Sequence, residues 1–248
     1  MKKITLEICC GSPDDVYQAK LAGADRVELN SSMFLGGITP SVGALKVAKK
    51  AGIEVMAMVR PREGGFCYTD YEFAAMQEDA RALLDAGADG IVFGILNADG
   101  TIDTPRCAKM MEVIGNHTSV FHRAIDVVPD WRATLDTLCT LGVTRVLTSG
   151  QNPNVFFGAE TVRAMREYAA DRIQILPGAG FTPENAAQIL QITGCTQMHI
   201  ALPQSHVDSS CNLNPDIYFG GALYPPEDRY VITDAKKVSA LVQTLATL

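Results

Sequence analysis

Short apolar runs alternate with longer amphipathic stretches along most of the chain. Eight such runs stand out: Ile4–Cys9, Arg26–Leu29, Glu54–Arg60, Gly90–Leu96, Ser119–His122, Arg145–Ser149, Ile173–Pro177 and Gln197–Leu202. Their starts fall about 28 residues apart on average, room for one strand, one helix and two loops. Helix-start signals lie between them, at Ser12-Pro13, Thr39-Pro40, Thr69-Asp70, Thr104-Pro105, Pro129-Asp130 and Thr182-Pro183-Glu184. Each offers a capping oxygen or a proline in the first turn, where its missing N–H leaves nothing unpaired. Gly23, Gly52, Gly87, Gly142 and Gly194 supply the matching stops, since a helix commonly ends in the left-handed conformation that glycine adopts freely. Eight β–α units in 248 residues predict one domain over 1–248, a (β/α)8 TIM barrel. An open doubly wound sheet is the alternative, and it usually has fewer strands.

The pattern breaks once. Pro203–Ile232 has little periodicity and is rich in Ser, Asn, Pro and Gly, and a last helix follows near Thr233–Leu248. A long structureless loop is uncommon in a compact domain unless it is functional or mobile. Following strand eight, it belongs at the C-terminal mouth of the barrel, where it could close over a site.

Barrel strands are buried on both faces, and the face toward the helices must be apolar. Polar residues inside a strand therefore mark the inward set. This places Thr5, Glu7 and Cys9 inward on strand one, Arg26, Glu28 and Asn30 on strand two, and Arg60 above Met58 and Met56 on strand three. Strand eight turns Gln197, His199 and Ala201 inward; strand five offers His122 or Arg123, since alternation does not permit both. Glu7, Glu28, Arg60, His122 and His199 thus collect in the upper bore, with Asp126 just beyond strand five. Unpaired buried charge is costly, so Glu28 and Arg60 on neighbouring strands are expected to pair. Charge at the C-terminal ends of barrel strands is where this fold places its chemistry. Two further segments, Thr148-Ser149 and Gly178-Ala179-Gly180, present hydroxyls and backbone N–H groups suited to an anion such as phosphate.

Composition narrows the function. The net charge is −7, with 21 basic against 28 acidic residues, which disfavours nucleic acid and anionic membrane as partners. No apolar run approaches the ~20 residues of a membrane span, and Glu7 interrupts any signal-peptide-like start. Seven cysteines are an odd number in a chain too large to need disulfide staples, which reads as reduced thiols in a cytoplasm.

The chain also resembles a known family. Leu6-Glu7-Ile8-Cys9, Gly23-Ala24-Asp25-Arg26-Val27-Glu28-Leu29, Gly36-Gly37-Ile38-Thr39-Pro40-Ser41, Arg60-Pro61-Arg62, Phe66-Cys67-Tyr68, Phe121-His122-Arg123-Ala124, Leu147-Thr148-Ser149-Gly150 and Gly178-Ala179-Gly180 together look like the CutC family, named for copper homeostasis. The likeness runs in order from about residue 4 to 202. It implies a (β/α)8 barrel, a cytoplasmic location, a homo-oligomer (dimer or tetramer) and Cu(I) binding, with Cys9, Cys10 and Cys67 as the candidate ligands. Asn30 stands where many members carry a second cysteine, which removes a thiol from the copper pair with Cys9. Glu63 precedes Gly64-Gly65 where the family's acidic residue follows the two glycines, and Ile200-Ala201-Leu202-Pro203 replace the small hydroxyl or thiol residues usual after His199.

Two functions are thereby expected. One is a cytoplasmic Cu(I)-binding protein of copper homeostasis. The other is an enzyme (a lyase, isomerase or hydrolase) acting on a small polar, carbonyl or phosphorylated metabolite. In it Glu7 or Glu28 is the general base, His122 and His199 shuttle protons or orient the substrate, Arg60 binds an anion or oxyanion, and Asp126 stands nearby.

Overall fold

The computed structural model describes residues 3–220 and 227–248. Eight parallel strands form the wall of a nearly closed barrel: β1 (Thr5–Cys10), β2 (Arg26–Leu29), β3 (Glu54–Met58), β4 (Gly90–Phe93), β5 (Thr118–Phe121), β6 (Arg145–Thr148), β7 (Gln174–Pro177) and β8 (Gln197–Ile200). They are hydrogen-bonded in the order β7-β6-β5-β4-β3-β2-β1-β8. Across the remaining seam Gln197 Nε2 donates to the Ile175 carbonyl at 3.2 Å.

Eight helices surround the strands: α1 (Pro13–Leu21), α2 (Val42–Ala48), α3 (Asp70–Asp85), α4 (Thr104–Ile114), α5 (Trp131–Thr140), α6 (Val155–Ala169), α7 (Ala186–Thr193) and α8 (Ala235–Leu245). Local chemistry explains most of their ends. Ser12 caps α1 ahead of Pro13, and Thr69 with Glu72 forms a reciprocal capping box on α3, satisfying N–H groups that lack intrahelical partners. Gly23, Gly52, Gly87, Gly142 and Gly194 all adopt positive φ, as the helix-stop pattern requires.

Three starts differ from expectation. The cap of α2 is Ser41 and that of α4 is Asp103, each a neighbour of the predicted residue with an equally suitable oxygen. The third matters more. Thr182-Pro183-Glu184 does not open α7, which begins at Ala186; Thr182 and Asn185 instead close a turn on each other's backbone N–H.

The described residues of Pro203–Ile232 also form more regular structure than the composition suggests. Pro203–Val207 (β9) pairs antiparallel with Arg229–Thr233 (β10), and a short 3-10 turn covers Ser209–Cys211. Residues 221–226 of this segment, like Met1 and Lys2 at the start, lie outside the described residues. The ribbon's base is fastened to the mouth: Asp15 on α1 accepts from the Thr233 N–H and from Gly11 N–H at 2.9 Å.

The barrel interior divides in two. Met56, Met58, Val92, Val120, Leu147 and Leu176 form a buried apolar cluster of their own, contributed by β3–β7 at alternate positions. Strands β8, β1 and β2 bring Glu7, Arg26, Glu28, Gln197 and His199 instead, all buried. Within the strands most of the buried charge therefore sits on the β8-β1-β2 side, joined from β6 by Arg145, whose Nη1 is 4.0 Å from Glu7 Oε2.

Candidate functional site

At the C-terminal mouth a cavity of about 270 Å³ is lined by Cys9, Glu28, Met58, Arg60, Phe66, His122, Arg123, Leu147 and His199, with Gly36 at its edge. The parallel register sets Glu7 beside Arg26 and His199, and Cys9 beside Glu28.

Glu7 lies deepest and is the anchor. Its carboxylate pairs with Arg26 Nε on one oxygen and with His199 Nδ1 at 2.7 Å on the other. Burial alone would raise its pKa, but the His199 hydrogen bond and the Arg26 charge hold it down at about 2. Burial likewise works against an imidazolium at His199, yet Glu28, Cys9 and Glu7 outweigh it and raise that ring well above its usual value. This balance favours the imidazolium form of His199, whose Nε2 lies 4.0 Å from Glu28 Oε2.

Glu28 is raised, chiefly by burial and further by Glu7. Its Oε2 accepts from Asn30 Nδ2 at 2.8 Å and from the Cys9 thiol at 3.6 Å; its Oε1 is buried without a partner. Burial pushes the Cys9 thiol up to about 12, so it stays protonated beside Glu28.

The opposite side of the cavity offers donors. His122 Nδ1 accepts from the Ala124 N–H at 3.1 Å, which leaves the proton on Nε2, a buried atom with no partner. Burial, reinforced by Arg60 and Arg123, lowers the His122 pKa to about 3. Gly94 makes room for this ring: a Cβ there would overlap His122 Cε1 and Nδ1. Arg60 is held by the carbonyls of Leu35, Gly37 and Gly64, each at 2.9 Å, and its Nε is likewise buried without a partner. Phe66 covers both groups, 4.8 Å from the His122 ring and 5.7 Å below the Arg60 guanidinium.

Several expectations need correction. Glu28 and Arg60 do not pair: backbone carbonyls of the loops after β2 and β3 hold the two terminal nitrogens of Arg60, while Glu7 takes the strand arginine, Arg26. His122 and Arg123 both line the cavity, because β5 ends at Phe121 and a 3-10 turn over Arg123–Val127 releases the chain from alternation. Asp126 is spent on structure: it accepts from Thr148, from the Ser149 and Gln151 backbone, and from Arg123. That leaves the Thr148 and Ser149 hydroxyls donating to Asp126 rather than offered to an anion. The Gly178 N–H donates to the Thr148 carbonyl at 2.9 Å, and Gly180, at φ +83°, packs against Asn154. These four residues build the turns after β6 and β7.

The thiols do not converge. Cys10 faces the helix layer in the main core, its Sγ donating to the Ile8 carbonyl at 3.6 Å, because neighbours on a strand point to opposite faces. Cys67 is exposed and outside the cavity lining. The donor group among the described residues is Cys9, Glu28 and His199, whose ligating atoms lie within 4.8 Å of one another. A single thiol in such a set fits the soft, multi-thiolate environment that Cu(I) prefers poorly.

The sequence reasoning missed Arg145 as part of the polar bore. Leu147 belongs to the interior cluster, so the period of two already turned Arg145 inward. Phe66 had no periodic signal, because it sits on the irregular loop after β3.

Comparison with known proteins agrees with this architecture. The CutC family profile matches residues 4–203. A CutC family protein of Treponema denticola is 51% identical over 246 residues, 99% of this chain and 100% of that protein. The human protein named copper homeostasis protein cutC homolog is 39% identical over 237 residues, 95% of this chain and 87% of its own. The crystal structure of a CutC protein from Streptococcus agalactiae superposes with a TM-score of 0.76 at 36% identity, covering 79% of this chain and 97% of that one. On this profile match and these near-full-length identities, the chain belongs to the CutC family.

Proposed function

We propose that the mouth is the active site of a lyase or isomerase that moves a proton next to the carbonyl of a small anionic metabolite. One observation carries this reading. An acceptor without a partner, Glu28 Oε1, and two donors without partners, Arg60 Nε and His122 Nε2, belong to side chains lining one cavity. Leaving such groups unpaired costs stability, and a ligand that both donates and accepts would satisfy all three.

The division of labour follows from charge. Glu28, raised by burial, is a stronger base than an ordinary carboxylate and takes the proton from carbon. Neutral His122 and the Arg60 guanidinium donate to the carbonyl oxygen as it gains negative charge, both held in place before the substrate arrives. The His199 imidazolium, fixed by Glu7, stands beside Glu28 as the group that returns a proton. Arg123 at the rim and the buried cations favour an anionic substrate, and Met58 and Leu147 form the apolar floor. The seven free thiols suit a reducing, cytoplasmic setting.

The test is a thermal-shift screen with small oxo acids, hydroxy acids and their phosphate esters. A compound that stabilises the wild type and loses at least tenfold in affinity in His122→Gln supports the reading. Absence of any such compound, or one indifferent to His122, contradicts it.

Copper is a second reading, favoured by the Cys9–Glu28–His199 cluster and by the relatives' printed name. It makes a single Cu(I) the cargo at those three residues, without Cys10 or Cys67. Anaerobic titration of reduced protein against a competing chelator tests it: Cys9→Ser then lowers Cu(I) affinity at least tenfold, and unchanged affinity removes copper from this site.

A further inference from the structure

The opposite end of the barrel holds a second cavity, of about 620 Å³, on the face where strands begin. Barrel enzymes place their chemistry at the other face, so this one calls for its own explanation. Arg26, Arg145 and Arg166 line it, together with Gln174 and Gln197, and Asp171 stands exposed at its rim.

Arg145 carries the argument. It is 5% exposed, and its Nε donates to Gln174 Oε1 at 3.0 Å. Its Nη1, however, is buried with no hydrogen-bond partner; the nearest carboxylate oxygen, Glu7 Oε2, is 4.0 Å away. Glu7 already serves Arg26 and His199, so one buried carboxylate faces three buried cations. A guanidinium left this way is costly, and burial together with Arg26 holds Arg145 down at about 10. Arg26 is otherwise engaged by Gln197 Oε1 at 2.8 Å. Arg166 adds a half-exposed guanidinium at the rim, tethered through Nε to the Thr193 carbonyl at 2.8 Å.

We infer that this closed-end cavity is a binding site for a phosphoryl group, free or carried on a small metabolite, with Arg145 as the buried ligand and Arg166 as the rim ligand. A tetrahedral oxyanion matches the guanidinium fork and supplies the acceptor that Arg145 Nη1 lacks. The volume falls in the ~300–1,000 Å³ range of small-molecule sites, which leaves room for an organic tail. The two cavities share no lining residue, although Glu7 joins Arg26 at this one to His199 at the mouth.

The experiment is calorimetric titration of the full chain with inorganic phosphate, glycerol phosphate and, as controls, glycerol and chloride at matched ionic strength. Binding of either phosphate, absent with both controls and weakened at least tenfold in Arg166→Gln and in Arg145→Met, is expected. Tighter binding of glycerol phosphate identifies an ester as the ligand; equal binding identifies the free oxyanion. Arg145 touches the Glu7 network, so its variant could fail to fold; Arg166→Gln, at the rim, then decides alone. No phosphate binding above the chloride control, or binding unchanged in Arg166→Gln, overturns the inference.

Discussion

His122 gives the site's electrostatics a number. In the folded chain its pKa is lowered to about 3, whereas an unfolded histidine titrates near 6.5. The unfolded chain therefore takes up this proton first as pH falls. Stability from a neutral His122 is complete above pH 6.5 and is lost progressively between pH 6.5 and 3. At pH 5 the gap is 1.5 pH units, and at ~1.36 kcal/mol per unit the loss is about 2 kcal/mol. His199 and the carboxylates titrate as well, so the comparison is a difference between wild type and His122→Gln. Urea denaturation at pH 7.5 and at pH 5 gives the stability of each protein. The account expects His122→Gln to be destabilised at pH 7.5 and to recover about 2 kcal/mol of that deficit at pH 5. With four histidines in the chain, nitrogen NMR of the rings adds a direct check: His122 stays in the Nε2–H tautomer throughout this range. A deficit that stays within about 0.5 kcal/mol between the two pH values, or a His122 resonance titrating near pH 6.5, refutes the reasoning.

Glu7→Gln removes the carboxylate shared by Arg26 and His199; breaking a buried pair this way costs about 3–5 kcal/mol, and a loss under about 1 kcal/mol in urea denaturation contradicts the anchor role. Gly94→Ala drives a methyl group into the His122 ring and is expected to cost about 1–3 kcal/mol, with the His122 ring resonances displaced; unchanged His122 resonances contradict the packing. Asp126→Asn weakens the acceptor of Thr148, Ser149 and Gln151 and should cost about 1–3 kcal/mol without loss of ligand affinity at the mouth; a tenfold affinity loss would instead give Asp126 a place in the site.

The barrel was legible because its signals are local and repeated. Strand alternation, helix caps and stop glycines each depend on a few neighbouring residues, and Gly23, Gly87 and Gly142 behave as their positions demand. Alternation also placed Glu7, Glu28 and His199 in the bore. Which charge would pair with which was not legible. Glu28 and Arg60 sit on adjacent strands, but pairing depends on the heights set by strand register and on loop carbonyls that no period reveals. The Asp126 network and the Phe66 cover come from irregular turns, where alternation has no authority. Cys9-Cys10 shows the reverse: neighbours in sequence are separated by the strand they share.

The measurement closest to the central claim is deuterium uptake from solvent at the carbon next to the carbonyl of a ligand that binds the mouth. It is followed by proton NMR with wild type and Glu28→Gln at equal saturation. The account predicts catalysed exchange in the wild type, slowed at least ~100-fold in Glu28→Gln while affinity is kept. Exchange undiminished by Glu28→Gln, or a bound ligand that never exchanges with the wild type, contradicts it.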